Sequence, residues 1–326
     1  MAKKRILSGM RPTGKLHIGH YVGALENWVR LQNEYESFHL IADYHVLTTA
    51  LRNDDIYKNT IDMIIDWLAS GLDPVKSPIF RQSQIKQHTE LHLIFSMLVT
   101  AARLERNPTV KEQVRDLNIE NVTYGHLGYP VLQSADILLY KGEAVPVGED
   151  QVPHVEITRE IARKFNSVYG DVFPESKALL TKFARLPGLD GDAKMSKSLN
   201  NTILLSDSAE EVKLKLKKAK TDTQKVRRND PGRPEVCLVF TYQKKFNPDE
   251  VLEIEAGCKS GELGCADCKL KCSSKISEFL NPIIEKRNYY ENNLDEVKDI
   301  LSDGEKRAKI VAVSTMEDVH KVMKFG

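Results

Sequence analysis

One loop-like segment carries two lysines at a spacing suited to a polyanion. The segment LPGLDGDAKMSKSLNNTILLSD, residues 186–207, places Lys194 and Lys197 three residues apart in a run rich in Gly, Asp, Ser and Asn. Two ammonium groups at this spacing can neutralise the charge of a polyphosphate. A lysine-containing linker is the alternative for this segment taken alone.

A second segment near the start of the chain could bind the other end of the same ligand. SGMRPTGKLHIGHYVGALENW, residues 8–28, reads as a strand end, a turn with Gly and Pro, and a helix that begins near His20. The N–H groups at such a helix start attract phosphate, and His17 and His20 can donate hydrogen bonds to it. A helix entrance with two surface histidines is the alternative.

The first half of the chain alternates strand and helix patterns. Apolar runs predict strands at 5–10, 37–48 and 77–83, and apolar residues at helical spacing predict helices at 21–32, 56–70 and 91–104. This alternation predicts an α/β, Rossmann-like, doubly wound parallel sheet, with ligands at the carboxyl ends of its strands.

The pattern changes near residue 200. Beyond it strand signals are rare, lysine is frequent, and helices are predicted at 208–220, 273–293 and 297–323. The length of 326 residues fits about two domains. We therefore expect a catalytic domain at 1–200 and a mostly helical domain at 201–326, whose last helix could pack back on the first domain.

Composition excludes several classes of protein. The chain is 41% hydrophobic and 29% charged, with a net charge of +1. The N-terminus lacks the apolar run of a secretory signal, and no apolar stretch approaches the roughly 18 residues of a membrane span. We expect a cytoplasmic, reduced protein in which five cysteines serve as metal ligands or free thiols rather than disulfides.

The motifs together resemble those of a known enzyme family. HIGH at 17–20 and KMSKS at 194–198 resemble the paired signatures of class I aminoacyl-tRNA synthetases. GYPVLQSADILLY at 128–140 and VPVGEDQVPHVEITREIARKFN at 145–166 resemble the bacterial tryptophanyl-tRNA synthetases, and the likeness covers essentially the whole chain. It implies L-tryptophan, ATP with Mg²⁺ and tRNA(Trp) as substrates, and a homodimer.

The resemblance also implies site residues. The catalytic groups are Lys194, Lys197, His17 and His20. The ATP site contains Arg11, Pro12, Thr13, Gly19, His20, Gly148, Glu149, Asp150, Leu186, Lys194, Met195, Ser196, Lys197 and Ser198. Many relatives have Gln where this chain has Arg11, so pairing with a carboxylate and binding the α-phosphate both stay open for Arg11.

The tryptophan site follows in the same way. Asp136 would accept the indole N–H, and Tyr129 and Gln151 would lie at the substrate amino group. The indole pocket would be lined by Leu7, His45, Gln133, Val145 and Val147. A buried carboxylate is costly unless it is paired, which suits a site that awaits a donor. The alternative is an aspartate that caps the segment ILLY.

The cysteines form a second cluster. Cys258, Cys265, Cys268 and Cys272 give C-x6-C-x2-C-x3-C, and Cys237 precedes them. By spacing alone, zinc and an iron–sulfur cubane both stay open, as do five unligated thiols. The resemblance implies the subset of the family with a [4Fe–4S] cluster, held by Cys237, Cys258, Cys265 and Cys268, with Cys272 spare.

A basic segment lies beside the cysteines. TDTQKVRRNDPGRPEVC, residues 221–237, contains Lys225, Arg227, Arg228 and Arg233. We predict that these four residues contact the anticodon region of the tRNA, although a solvated charged face is the alternative.

Three other functions share some of these sequence features. Tyrosine-specific relatives share both signatures, but the residues around Asp136 fit the tryptophan pattern better. An adenylyl-transferring enzyme with the same His-x-Gly-His geometry would lack KMSKS and the cysteine domain. An inactive paralogue that binds RNA or senses iron and redox state is disfavoured because the ATP motifs are intact.

Overall fold

The computed structural model describes residues 3–52, 54–180, 186–191 and 195–325. In chain order its strands are β1 (Arg5–Met10), β2 (Glu36–Ile41), β3 (Ile79–Arg81), β4 (Ala144–Val147) and β5 (Lys177–Leu180). The helices that position the catalytic half are α1 (Ile18–His20), α2 (Glu26–Leu31), α3 (Asp43–Leu47), α4 (Ile56–Ala69), α5 (Gln87–Ser96), α6 (Ala101–Glu105), α7 (Pro108–Asp116), α8 (Tyr124–Leu139) and α9 (Val152–Tyr169). The later helices are α10 (Ala209–Lys218), α11 (Leu238–Phe246), α12 (Val251–Ser260), α13 (Cys265–Asn292) and α14 (Leu294–Met323).

The five strands form one parallel sheet in the order β3-β2-β1-β4-β5. β1 lies at the centre, and its Ile6 and Leu7 are buried because helices cover both faces of the sheet. The chain winds from β1 to one edge and then to the other, so the switch in direction lies between β1 and β4. The predicted fold, a doubly wound parallel sheet followed by a helical region, is confirmed.

Two elements predicted in the first half of the chain were partly wrong. The strand expected at 37–48 ends at Ile41, because Asp43 begins α3 and its carboxylate accepts the N–H of Tyr44 at 3.0 Å. The single helix expected at 91–104 is broken between α5 and α6. The hydroxyl of Thr100 accepts the N–H of Arg103 at 3.3 Å and so caps a new helix start.

α13 joins the two halves of the molecule. It begins at Cys265, eight residues before the predicted start, and packs against α4, α10 and α11. One hydrophobic cluster contains Trp28 of α2 and Met63 of α4 together with Leu216 of α10 and Ile276 of α13. The helical region is therefore fused to the sheet by a shared core.

α14 runs back over the edge of the sheet. A Cβ atom on Gly304 would lie 2.0 Å from the carbonyl oxygen of Ile79, so α14 and β3 touch backbone to backbone. Ala308, Ala312 and Met316 of the same helix belong to the cluster that surrounds β1 and β4. No helix among the described residues is both long and apolar enough to cross a membrane.

Candidate active site

A cavity of about 360 Å³ opens at the carboxyl end of the sheet, beside the switch between β1 and β4. Ligands of doubly wound sheets bind at this position. Its lining includes all eight residues that the sequence predicted for the tryptophan site: Leu7, His45, Tyr129, Gln133, Asp136, Val145, Val147 and Gln151. Arg11 and Gly148 of the predicted ATP site lie on the same wall.

Asp136 is the buried charge of this cavity. It lies inside α8 with 2% exposure, so it does not cap the segment ILLY. Nor does it lack partners, as the sequence reasoning had assumed. Its Oδ2 accepts from Nε2 of His45 at 2.9 Å, and its Oδ1 accepts from Gln82 Nε2 and His88 Nδ1, each at 2.7 Å.

These hydrogen bonds decide the charge of Asp136. Burial alone would raise the pKa of its carboxyl, but the hydrogen bonds from His45 and His88 hold that pKa well below its usual range. The group is therefore ionised and can only accept hydrogen bonds. The contributions of Gln82 and His88 were missed, because these residues belong to no motif and lie 54 and 48 residues away in the chain.

Tyr129 of the cavity lining and its partner His154 are both neutral. The hydroxyl of Tyr129 lies 3.1 Å from Nε2 of His154. Burial raises the pKa of Tyr129 and lowers the pKa of His154 to about 4, so both groups are uncharged near pH 7. Arg11 lies at the rim, where its guanidinium donates to the hydroxyl of Thr49 at 3.4 Å. Neither role left open for Arg11 by the sequence is tested by this contact.

The HIGH segment forms α1 and its entrance. The rings of His17 and His20 lie 3.7 Å apart between centroids. Burial and, to a smaller extent, the positive charge of Lys197 lower their pKa values to about 3 and about 4, and the neighbouring His20 also lowers that of His17. Both imidazoles are therefore neutral near pH 7 and can donate N–H bonds without adding charge. The ammonium of Lys197 supplies the local positive charge.

The structure brings HIGH and the KMSKS segment together. Backbone hydrogen bonds of 2.9 Å join Leu205 N–H to Leu16 and Ile18 N–H to Ile203. The ammonium of Lys197 donates to the carbonyl of Thr13 in the turn after β1. A side chain at Gly19 would lie 3.1 Å from the sulfur of Met195, so the glycine permits close approach. Lys194 lies outside the described residues, and the side chain of Ser198 is likewise not described.

The other predicted ATP-site residues surround this junction. Pro12 and Leu186 are buried, Thr13 is exposed, and Ser196 is partly buried. Glu149 and Asp150 are exposed in the turn that Gly148 begins, between β4 and α9. The turn is fixed from below, since the hydroxyl of Thr109 donates to the carbonyl of Asp150 at 3.1 Å.

A buried ion pair supports the HIGH segment from beneath. Asp66 of α4 accepts the backbone N–H of Leu16 at 2.6 Å and pairs with Arg287 of α13. Arg287 also donates to Glu291 at 2.6 Å. Sequence reasoning missed this pair, because a charged residue within an amphipathic helix usually faces solvent and the partners are 221 residues apart.

Four thiols gather where α11, α12 and α13 meet. Cys237 precedes α11, Cys258 lies in the last turn of α12, and Cys265 and Cys268 lie in the first turn of α13. Burial and, to a smaller extent, the neighbouring Cys237, Cys258 and Cys265 raise the pKa of Cys268 to about 11. Cys272 differs, since it is fully buried among core side chains of α13.

The chemistry of this donor set fits a metal that prefers thiolates. The four thiols are farther apart than the ligands of a formed metal site. Within the ranges that the structure describes, no three His, Cys, Asp or Glu side chains are placed to hold a metal ion. The five cysteines form no disulfides.

The predicted basic segment is only partly a basic surface. Lys225 is buried, with 8% exposure, and its ammonium donates to the carbonyl of Asp230. The guanidinium of Arg233 is paired with Asp222 at 2.7 Å. Arg227 and Arg228 are exposed, and Arg228 pairs with Asp267 at 3.1 Å. The exposed cations of this segment are therefore Arg227 and Arg228.

Comparisons with known proteins agree with this geometry. The family model for class I tRNA synthetases (W and Y) matches residues 2–281. A tryptophan–tRNA ligase of Thermotoga maritima is 50% identical, with 98% of each chain covered. One from Aquifex aeolicus is 44% identical, over 98% of this chain and 99% of the relative. A crystal structure of tryptophanyl-tRNA synthetase from Campylobacter jejuni, complexed with ADP and tryptophan, superposes with a TM-score of 0.88 at 33% identity, over 98% of this chain and 99% of that one.

Proposed function

Because this chain belongs to the class I tRNA synthetases for tryptophan and tyrosine, and is a tryptophan–tRNA ligase, we propose that tryptophan binds in the cavity beside β1 and β4. The observation that carries this proposal is Asp136, an ionised and buried carboxylate that lines the cavity and is held by three hydrogen-bond donors. Such a group accepts the indole N–H, while Leu7, Val145 and Val147 contact the rings. Tyr129 and Gln151 face the amino group of the substrate.

We propose that ATP, as its Mg²⁺ complex, binds across HIGH and KMSKS. His17 and His20 would donate N–H bonds to phosphate oxygens, and Lys194 and Lys197 would contact the β- and γ-phosphates. Gly148, Glu149 and Asp150 would lie at the ribose and phosphates. The remaining ATP contacts are Arg11, Pro12, Thr13, Gly19, Leu186, Met195, Ser196 and Ser198. The ADP and tryptophan bound by the Campylobacter jejuni relative support this arrangement.

The proposed reaction has two steps. A carboxylate oxygen of tryptophan attacks the α-phosphorus of ATP, the bond from that phosphorus to the bridging oxygen breaks, and pyrophosphate leaves with Mg²⁺. The acyl group then passes to the terminal adenosine of tRNA(Trp), and AMP is released. In the first step the nucleophile is already ionised, so positioning and charge stabilisation supply the catalysis there without a protein base.

An ATP–pyrophosphate exchange assay with each of the twenty amino acids tests this function. We expect rapid exchange with tryptophan and at least about 100-fold slower exchange with phenylalanine, because a site built around a hydrogen bond rejects ligands that cannot make it. Exchange that is fastest with tyrosine, or that is absent with every amino acid while the protein is folded, would contradict the proposal.

We further propose that 1–200 is the catalytic domain and 201–326 the anticodon-binding domain. The change from sheet to helices after β5 supports this division, as do the exposed guanidinium groups of Arg227 and Arg228. Lys225 and Arg233 would act there by holding the segment in place. Because tRNA charging serves translation, the compartment we propose is the cytoplasm.

A homodimer is the proposed assembly. Large apolar side chains are exposed within residues 93–124, namely Leu93, Met97, Leu117, Val122 and Tyr124, and exposed apolar patches mark interaction surfaces. A mass in solution of a single 36.9 kDa chain at micromolar concentration would contradict this assembly.

We propose that Cys237, Cys258, Cys265 and Cys268 hold a [4Fe–4S] cluster, with Zn²⁺ as the alternative. The support is the convergence of four thiols in one corner of the helical domain. When bound, such a metal would crosslink α11, α12 and α13 and so stabilise this domain. None of the four thiols belongs to HIGH or KMSKS, so the role would be structural.

Protein purified without oxygen is therefore expected to be brown, with about four irons per chain. Cys265→Ser and Cys268→Ser should each lose the metal and lower tRNA charging, while ATP–pyrophosphate exchange largely persists. Cys272→Ala is the matched control and should keep the metal, since its side chain lies in the core. A colourless protein that contains one zinc ion per chain would show that the site binds Zn²⁺ and not a [4Fe–4S] cluster. Loss of metal in Cys272→Ala would show that Cys272 is a ligand and that the proposed ligand set is wrong.

A further inference from the structure

The carboxylate of Asp136 is held from behind by a chain of buried polar groups. Nδ1 of His88 lies 2.7 Å from Asp136 Oδ1, and Nε2 of the same ring lies 3.0 Å from the hydroxyl of Tyr140. His88 and Tyr140 are both 0% exposed, and neither lines the cavity. His88 therefore contacts Asp136 from the side away from the cavity, and Tyr140 lies beyond His88.

The directions of these hydrogen bonds follow from the charge of Asp136. An ionised carboxylate has no proton to give, so His88 must present Nδ1–H to it. When Nδ1 carries the one ring proton, the lone pair on Nε2 accepts the O–H of Tyr140. Burial, together with the charge of Asp136, raises the pKa of Tyr140 well above its usual range, so this proton stays on the tyrosine.

The two carboxylate oxygens differ in what they can still accept. Oδ1 already receives two donors, from His88 and Gln82, whereas Oδ2 receives one among the described residues, from His45. Each carboxylate oxygen can accept about two hydrogen bonds. His45 lines the cavity, so the remaining acceptor position on Oδ2 is on the ligand side.

We propose that Tyr140 and His88 are specificity-determining positioning residues, which fix Asp136 as a pure acceptor with one position open for an indole N–H. This inference rests on the proposed binding of tryptophan at Asp136. The hydroxyl of Tyr140 selects the tautomer of His88. Without it, His88 can place its proton on Nε2 and turn the lone pair of Nδ1 toward Oδ1. That arrangement repels the carboxylate and favours a protonated Asp136, which no longer accepts in the same way.

Tyr140 is held rigidly enough for this role. Its ring stacks on Phe38 with centroids 4.9 Å apart and lies 5.0 Å from the ring of Phe80. Tyr140→Phe keeps these ring contacts and removes only the hydroxyl, so the substitution changes the hydrogen-bond chain without opening a large cavity.

The test compares tryptophan with an analogue in which sulfur replaces the indole N–H. The measured quantity is the ratio of kcat/KM for the two amino acids in ATP–pyrophosphate exchange, which does not depend on how much of the enzyme is folded. Tyr140→Phe should lower the ratio of kcat/KM for tryptophan to that for the analogue about threefold to tenfold. His88→Leu should lower it at least about tenfold, because each substitution weakens a charged hydrogen bond. His88→Asn, whose amide N–H can replace Nδ1–H, should recover part of the ratio.

Two further variants separate the possible failures. Tyr242→Phe removes another buried hydroxyl, which donates to the carbonyl of Pro187 at 2.6 Å, and should leave the ratio unchanged. Asp136→Asn tests the proposed function itself. If this variant leaves the ratio unchanged, Asp136 is not the acceptor of the indole N–H. If Asp136→Asn narrows the ratio while Tyr140→Phe and His88→Leu do not, the positioning role is wrong and the tryptophan site stands.

Discussion

Lys197→Ala should slow ATP–pyrophosphate exchange by about 100-fold or more, which is the typical cost of removing one group that stabilises transition-state charge. The Lys197 ammonium reaches the Thr13 carbonyl and lies close enough to lower the pKa values of His17 and His20. Those imidazoles are neutral near pH 7, so under the proposed binding of ATP the ammonium of Lys197 would meet the charge of the leaving pyrophosphate. Lys194→Ala should have a similar effect by its place in the motif.

The equilibrium binding of tryptophan alone should barely change in Lys197→Ala, because Lys197 does not line the cavity. Lys197→Arg keeps the charge and should recover part of the rate. Lys213→Ala, which removes an exposed lysine from α10, serves as the matched control and should exchange at the normal rate. Normal exchange by Lys197→Ala would show that its ammonium has no part in adenylate formation.

Arg287→Met should lower the free energy of unfolding by about 3–5 kcal/mol, the usual result of leaving one charge of a buried pair without its partner. The side chains of Arg287 and Asp66 are only 2% and 0% exposed. Urea denaturation measures the loss. The effect should extend to catalysis, because Asp66 also holds the N–H of Leu16, next to HIGH.

Arg30→Met is the matched control for this loss. Arg30 pairs with Glu34 on the surface, where the side chains are 58% and 51% exposed, and breaking such a pair costs about 0–1 kcal/mol. The double variant Asp66→Leu/Arg287→Met should regain most of the stability, since apolar pairs replace buried ion pairs well. Its exchange rate should stay low, because Leu16 has lost its acceptor. A cost below about 1 kcal/mol for Arg287→Met would contradict the buried pair.

The family motifs predicted more of the candidate site than of its supports. The resemblance placed Leu7 and Val145 in one pocket, and both line the cavity because β1 and β4 are parallel neighbours whose carboxyl ends lie at one edge of the sheet. Helix spacing predicted a helix at 208–220, and in α10 Val212 and Leu216 lie on one buried face. Such periodicity depends only on residues that are close together in the chain, so it can be recognised without knowing the tertiary structure.

What the sequence could not supply were contacts between distant polar groups. The three donors to Asp136 come from 48 to 91 residues away, and Arg287 meets Asp66 across 221 residues. No period or composition signals such pairs, since each partner by itself resembles a surface residue. Lys225 is the opposite case. It lies in a charged run that resembles a surface, yet it is buried, and its ammonium donates to a backbone carbonyl.

The position of α14 has a consequence for how the chain matures on the ribosome. β3 is an edge strand, and the carbonyl of Ile79 stays uncovered until Gly304 is synthesised, more than 200 residues later. Ala308, Ala312 and Met316 complete the apolar layer around β1 and β4 at the same late stage. Through most of translation the nascent sheet therefore presents an open edge and an unfinished apolar face, the two features that promote intermolecular pairing. This edge and this apolar face are covered only after α14 emerges, so chaperone protection of the growing chain matters most before that point.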